Sequence, residues 1–256
     1  MIRLLSPSRR TLAAAAVALA AAVAAPVPAA HAADALSAAQ ADQVRDIVRQ
    51  YLIENPEVLV EAMQALEAKQ QAAAEQAQQD ALKTHAEQIF RDPGSPVFGN
   101  PDGDVTLVEF FDYQCGYCKA VHPSVLKAIG EDKGLRVVMK EFPILGPASV
   151  YASRAALASR EQGKYEALHN ALMSHDGKLD EATVDRIAGK VGLDMEKLKK
   201  DMAAPAVDDQ IGVTMALARA LGIRGTPAFV VGDTLLPGAV PLERLKQEIA
   251  KAREAG

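Results

Sequence analysis

Residues 105 to 129 constrain this chain more than any other segment. Val105-Thr-Leu-Val-Glu-Phe-Phe111 is a nearly continuous apolar and β-branched run, the pattern of a strand buried on both faces. Lys119 to Ile129 (KAVHPSVLKAI) sets Val121, Val125, Leu126 and Ile129 at helical spacing, and Pro123 inside it predicts a kink. Between the two stand Cys115 and Cys118, the only cysteines in 256 residues. Cys115 therefore falls at the turn from a buried strand into a helix N-terminus. There the unpaired N–H groups carry partial positive charge and stabilise a thiolate. The i, i+3 spacing puts both sulfurs on one helix face. A thiolate at Cys115 attacks a disulfide, and Cys118 then displaces the mixed-disulfide partner.

Other uses of Cys-x-x-Cys fit less well. A staple across so small a loop contributes only ~2 kcal/mol in the chain-entropy account, against ~4.7 for a 100-residue loop. Zinc wants four ligands; His122 extends the pattern to C-x₂-C-x₃-H, and no fourth ligand follows, so no metal is assigned. Haem attachment needs His at position 119, which is Lys.

The beginning of the chain supplies the compartment. Arg3, Arg9 and Arg10 precede an Ala/Val/Leu-rich run, and Ala30-His31-Ala32 fits a small-x-small cleavage rule. Residues 1–32 read as a signal peptide rather than a membrane anchor, because Pro26 and Pro28 interrupt the run. Ser8-Arg9-Arg10-Thr11-Leu12 leaves the general secretory and twin-arginine routes both open. Export implies an oxidising compartment such as the periplasm. Without these three arginines the net charge falls from −5 to −8, which gives no reason to invoke nucleic acid.

Glu109 is the odd residue in the apolar strand. A buried carboxylate must be paired or functional. Two readings stand: a pair with a lysine such as Lys140, or a proton relay for Cys118. Downstream, Gly225-Thr226-Pro227 opens Ala228-Phe-Val-Val231, a short buried strand that turns at Gly232-Asp233 into Thr234-Leu235-Leu236.

These landmarks resemble the thioredoxin superfamily, and more narrowly the DsbA/DsbC group of periplasmic thiol–disulfide oxidoreductases. The matching stretches are EFFDYQCGYC at 109–118, KEFPILG at 140–146 and GTPAFVVGDTLLPGAVPLERL at 225–245. The resemblance implies an α/β thioredoxin-like fold, a cis Pro227 facing the dithiol, and no cofactor. It makes Cys115 the nucleophile and Cys118 the resolving thiol, with Glu109 at the family position near the buried thiol. Gly116, Tyr117, Thr226 and Pro227 would form the substrate groove, with the Thr226 backbone pairing to the client chain. Strongly oxidising members carry Pro-His between the cysteines; Gly116-Tyr117 and the Thr before Pro227 are closer to the isomerases. The expected function is isomerase or reductase acting on exported cysteine-containing proteins, in exchange with a membrane redox partner. A DsbA-like oxidase is the alternative. A metal-binding or surface-exposed binding protein reusing the fold is the rival from outside the enzymes.

Two segments complete the organisation. Between KEFPILG and GTPAF, helices are predicted at 150–161, 164–174, 181–191, 195–202 and 207–221, a helical insertion spanning about 148–222 within a catalytic domain of 92–256. His169 and His175 in this block read as surface or helix-end residues. Residues 33–91 read as a helical arm. Ser37-x-x-Gln40 is a capping-box start, and Asn55-Pro56 separates a first helix from a second one over 57–90. Val44, Ile47, Val48, Tyr51, Leu52, Leu59, Met63 and Leu66 give the arm an apolar face over 36–66 in need of a partner, which predicts a homo-oligomer. The layout is most similar to the suppressor-of-copper-sensitivity C-type proteins. Asp92 to Asp104 reads as a turn-rich connector.

Overall fold

The computed structural model describes residues 36–255; the leader expected at 1–32 lies outside them. Of the described residues, 36–62 and 63–255 fall in two compact units. In the first, α1 (Ala38–Glu54) opens with the expected capping box: the Ser37 side chain accepts from Gln40 N–H, and the Gln40 side chain accepts from Ser37 N–H. No residue of α1 is buried; Val44, Ile47, Val48 and Tyr51 are all about half exposed or more. The chain breaks at Asn55-Pro56 and continues into α2 (Glu57–Thr84), whose only buried residue is Leu82.

The second unit is built on a five-stranded mixed sheet in the order β1-β3-β2-β4-β5. The strands are β1 (Val97–Gly99), β2 (Val105–Phe111), β3 (Leu135–Glu141), β4 (Ala228–Val231) and β5 (Thr234–Pro237). Central β2 runs parallel to β3 and antiparallel to β4. Its alternation explains the apolar run. Leu107 and Phe111 join Val137, Met139, Phe229 and Val231 on one face, covered by α4 (Gly116–Glu131) and α10 (Leu242–Ala255). Val108 and Phe110 join Val138, Ala228 and Val230 on the other, covered by Leu82, by Ile89 of α3 (Ala86–Phe90) and by Leu217 and Leu221. A strand with helices on both faces has no polar side to show.

Five α-helices stand between β3 and β4: α5 (Pro147–Ala158), α6 (Tyr165–Met173), α7 (Glu181–Lys190), α8 (Met195–Met202) and α9 (Pro205–Ala220). Asp180 and Asp194 cap α7 and α8, each accepting from the N–H three residues on. Leu168, Leu172, Val184, Ile187 and Leu198 extend the core of the first sheet face, so the insertion shares one core with the sheet.

The structure departs from the sequence reading in three places. The helix expected over 57–90 is broken at His85, and its last turn becomes α3. Buried Ile89 packs on the sheet, while the Lys140 ammonium and the Arg136 guanidinium donate to Gln88 and Phe90 carbonyls at 2.6 Å each. Cations on the last carbonyls hold α3 against the sheet. The boundary expected at 91/92 thus falls inside a packed segment. β1 arises within the expected connector, too short to show a period, and buries Phe98. His169 is completely buried rather than at the surface. Pro123 lies inside α4, as the sequence places it.

Candidate active site

Cys115 is the N-cap residue of α4, and its sulfur accepts from Cys118 N–H at 3.2 Å. Its own N–H donates to Asp112 C=O at 3.0 Å, which closes the turn out of β2. The two cysteines are unbonded thiols of unequal character. The Cys118 thiol donating to it, the Thr226 side chain and the N–H groups of Cys118 and Tyr117 lower Cys115 to about 6 against its burial. Burial pushes the Cys118 thiol far up, and its bond to Cys115 and the Glu109 charge add to this. A group at about 6 is roughly 90% thiolate at pH 7. Both cysteines are buried, at 5% and 0% exposure, but the Cys115 sulfur is mostly ionised while the Cys118 sulfur stays a thiol.

The expected groove residues come together here. The Thr226–Pro227 peptide bond is cis, and the Cys115 thiol donates to Thr226 C=O at 3.2 Å. Thr226 is half-buried and Pro227 buried, at the entry to β4 beside β2. Gly116 is exposed, and Tyr117 is 72% exposed although it is aromatic.

Glu109 lies on the α4 face of β2, 1% exposed, and neither carboxyl oxygen has a hydrogen-bond partner. The ion pair with Lys140 does not form. In the β2–β3 register Glu109 faces Met139, while Lys140 faces Phe110, so the two side chains leave opposite faces of the sheet. Lys140 instead pairs with Asp92 at 2.9 Å, which holds the Asp92 carboxyl down at about 2 against its burial. Burial, with the Cys115 charge adding, raises Glu109 to about 8.

Polar residues around the turn had escaped the sequence reading. Asp112, fully buried, accepts four hydrogen bonds. The Gln114 amide exchanges two bonds with the Leu179 backbone at 3.1 and 3.4 Å, and the Lys119 ammonium donates to His175 C=O at 2.6 Å. Glu141 accepts from Tyr113 and Tyr165 hydroxyls at 2.9 and 2.7 Å and from the Ser153 hydroxyl at 2.7 Å. Burial raises it to about 8 despite these donors. His169 sits edge-on to Phe98, Phe111 and Tyr113, and burial keeps it neutral. The sequence signal for Asp112 was an acid bordering the buried run that holds Glu109.

Comparison with known proteins places this geometry. Residues 106–250 match the DSBA-like thioredoxin domain, and residues 40–73 match the copper resistance protein ScsC N-terminal domain. A thioredoxin-like oxidoreductase from Silicibacter pomeroyi is 52% identical, with a TM-score of 0.65 over 66% of this chain and 98% of that one. Proteus mirabilis ScsC in a transitional conformation is 35% identical, with a TM-score of 0.64 over 87% of this chain and 99% of that one. The thiol:disulfide interchange protein DsbA of Bordetella pertussis is 26% identical over 62% of this chain and 78% of its own length. The chain also matches Na(+)/H(+) antiporters NhaA, such as that of Salinispora tropica at 28% identity over 61% of this chain, and spans about a quarter (24%) of their length. The chain belongs to the DSBA-like thioredoxin-domain family of thiol–disulfide oxidoreductases, with an N-terminal segment of the ScsC type.

Proposed function

We propose that this chain is an exported protein thiol–disulfide oxidoreductase that acts as an isomerase or reductase on cysteine-containing clients in the periplasm. The observation that carries the reading is the asymmetry of the dithiol: Cys115 lowered to about 6 at a helix N-cap, Cys118 buried and raised. The Cys115 thiolate attacks a client disulfide. A Cys115–client S–S bond forms, the client bond breaks, and the second client sulfur leaves as a thiolate with the electron pair. Loss of the Cys115 charge removes one of the two influences that raise Glu109, so this carboxyl ionises more readily. Glu109, whose oxygens bond no neighbouring group, then takes the Cys118 proton through an intervening water. The Cys118 thiolate attacks Cys115, forming Cys115–Cys118 and releasing the client's first sulfur as a thiolate; the client is reduced by two electrons and the dithiol oxidised.

Thr226 C=O, which accepts the Cys115 thiol proton, is freed when that thiol ionises, and a client backbone N–H takes its place. Cys115 is only 5% exposed, between exposed Gly116 and buried Pro227, and Tyr117 offers an exposed ring beside it. A membrane redox partner restores the dithiol. The exposed apolar residues of α1 and early α2 support assembly into a homo-oligomer, which gathers several dithiols around one client. Among the described residues, no helix is long and apolar enough to cross a membrane.

Equilibration with glutathione buffers tests the direction of the chemistry. A tenfold change in the two-electron equilibrium constant is about 30 mV. A potential near about −180 mV, with repair of a scrambled disulfide client, supports isomerisation; one near about −120 mV without repair assigns the oxidase. Metal bound by the purified reduced protein, with no exchange activity, would favour the rival binding-protein reading.

A further inference from the structure

Asp112 ends the buried run of β2 and is completely buried, yet among the described residues no cation pairs with it. Neutral donors satisfy it instead. Oδ1 accepts from Gln114 N–H and the Ser149 hydroxyl, both at 2.7 Å; Oδ2 accepts from Ile144 N–H at 2.8 Å and Leu145 N–H at 2.9 Å. One carboxylate thus joins three segments: the turn into Cys115, the loop after β3 and the start of α5. The loop is anchored at both ends. Phe142 N–H donates to Phe111 C=O at 2.9 Å, and Gly146, at φ +113°, turns the chain into α5 in a conformation open to glycine.

Topology places this loop. β2 has β3 on one side and β4 on the other. The loop of residues 142–146 therefore flanks the dithiol turn on the side away from Thr226-Pro227. Leu145 at its tip is 52% exposed, an apolar side chain held out to solvent by a fixed backbone. None of the four bonds to Asp112 involves the groups that stabilise the Cys115 thiolate. Three of them hold residues 144–149, so a change confined to Leu145 or Ser149 should disturb the loop and leave the thiol chemistry alone.

We infer that Asp112 is a positioning residue for client binding: its carboxylate holds Leu145 as an apolar lip opposite Thr226, with the disulfide-bearing extended segment of an unfolded client lying between them. Unfolded chains offer the apolar side chains that such a lip would cover. The inference rests on the oxidoreductase reading.

The test compares an unfolded, disulfide-bearing protein with glutathione disulfide as substrates of the full chain. Asp112→Asn keeps the shape but turns an NH₂ group toward backbone donors. KM for the protein substrate should rise about fivefold in Asp112→Asn and in Leu145→Ser, the loss expected for one partly buried leucine contact, with kcat within about twofold. The double variant should be no worse than either single one, because both act through one loop. In Leu145→Ser and Ser149→Ala, which leave the turn into Cys115 intact, the rate with glutathione disulfide and the pH midpoint of Cys115 should stay at wild-type values. Ser149→Ala frees the far end of the same loop and should raise the protein KM about twofold; it keeps the inference open to refutation if Asp112→Asn does not fold. An unchanged protein KM in Leu145→Ser or in the folded Asp112 and Ser149 variants, additive effects, or a parallel shift in the thiol's midpoint in Leu145→Ser would overturn the inference. A wild-type chain inactive on both substrates would instead refute the oxidoreductase reading itself.

Discussion

Replacing Glu109 by glutamine exchanges a buried titrating carboxyl for an amide of the same shape. The carboxyl titrates at about 8 in the folded protein against an ordinary value of 4.5. Between these values the folded chain holds a proton that the unfolded chain has lost, so stability falls as pH rises, by about 1.4 kcal/mol per pH unit. At pH 7 the accumulated loss is on the order of 3 kcal/mol, and glutamine does not incur it. Glu141, also raised to about 8, is present in both proteins and cancels in the difference. Urea unfolding of the reduced proteins across pH should therefore show Glu109→Gln more stable by that order at pH 7, with the two converging near pH 4. The same variant should resolve mixed disulfides more slowly, because Cys118 has lost its proton acceptor. Equal stabilities at pH 7, or a difference that does not change with pH, would refute the account of Glu109 as an unpaired buried acid. Resolution at the wild-type rate would remove it from the relay.

Alkylation of Cys115 should follow a single thiolate titration with its midpoint near 6, because the thiol is lowered: reactivity is full above neutrality and lost as pH falls through 6. A midpoint in the ordinary thiol range would refute the N-cap argument. Removing the arm up to residue 77 should leave a folded monomer that keeps simple dithiol chemistry, measured by sedimentation and glutathione exchange. A chain beginning at Asp92 should be less stable by ~3 kcal/mol or more, because it lacks buried Leu82 and Ile89 and the carbonyls that Lys140 and Arg136 bond. Equal melting temperatures for the two truncations would contradict that packing.

What was legible in the sequence was local. The buried strand, the dithiol at a helix start and the Thr-Pro before a hairpin each declare themselves within ten residues, and the structure assembles them at the end of β2. The pairing of Glu109 was not legible, because it turns on whether residues of two strands share parity in the register; Lys140 misses by one. Three-residue β1 shows no period, and the break at His85 depends on cations that arrive from β3. His169 was misread for a different reason. Tyr165, Leu168, His169, Leu172 and Met173 follow the i, i+3, i+4, i+7, i+8 rule of a buried helix face, and that spacing outweighs the polarity of one imidazole. Asp112 was overlooked because three of its four partners lie more than thirty residues away, in a loop and helix start whose position only the sheet order reveals.

The central claim is that Cys115 attacks and Cys118 resolves. It is tested most directly by incubating Cys118→Ala with an unfolded disulfide-bearing protein and mapping the adducts by mass spectrometry. The account predicts a stable mixed disulfide on Cys115, absent from the wild type at the same time point and from Cys115→Ser. A Cys118→Ala protein that forms no such adduct, or a Cys115→Ser protein that forms one through Cys118 at the same rate, would contradict it.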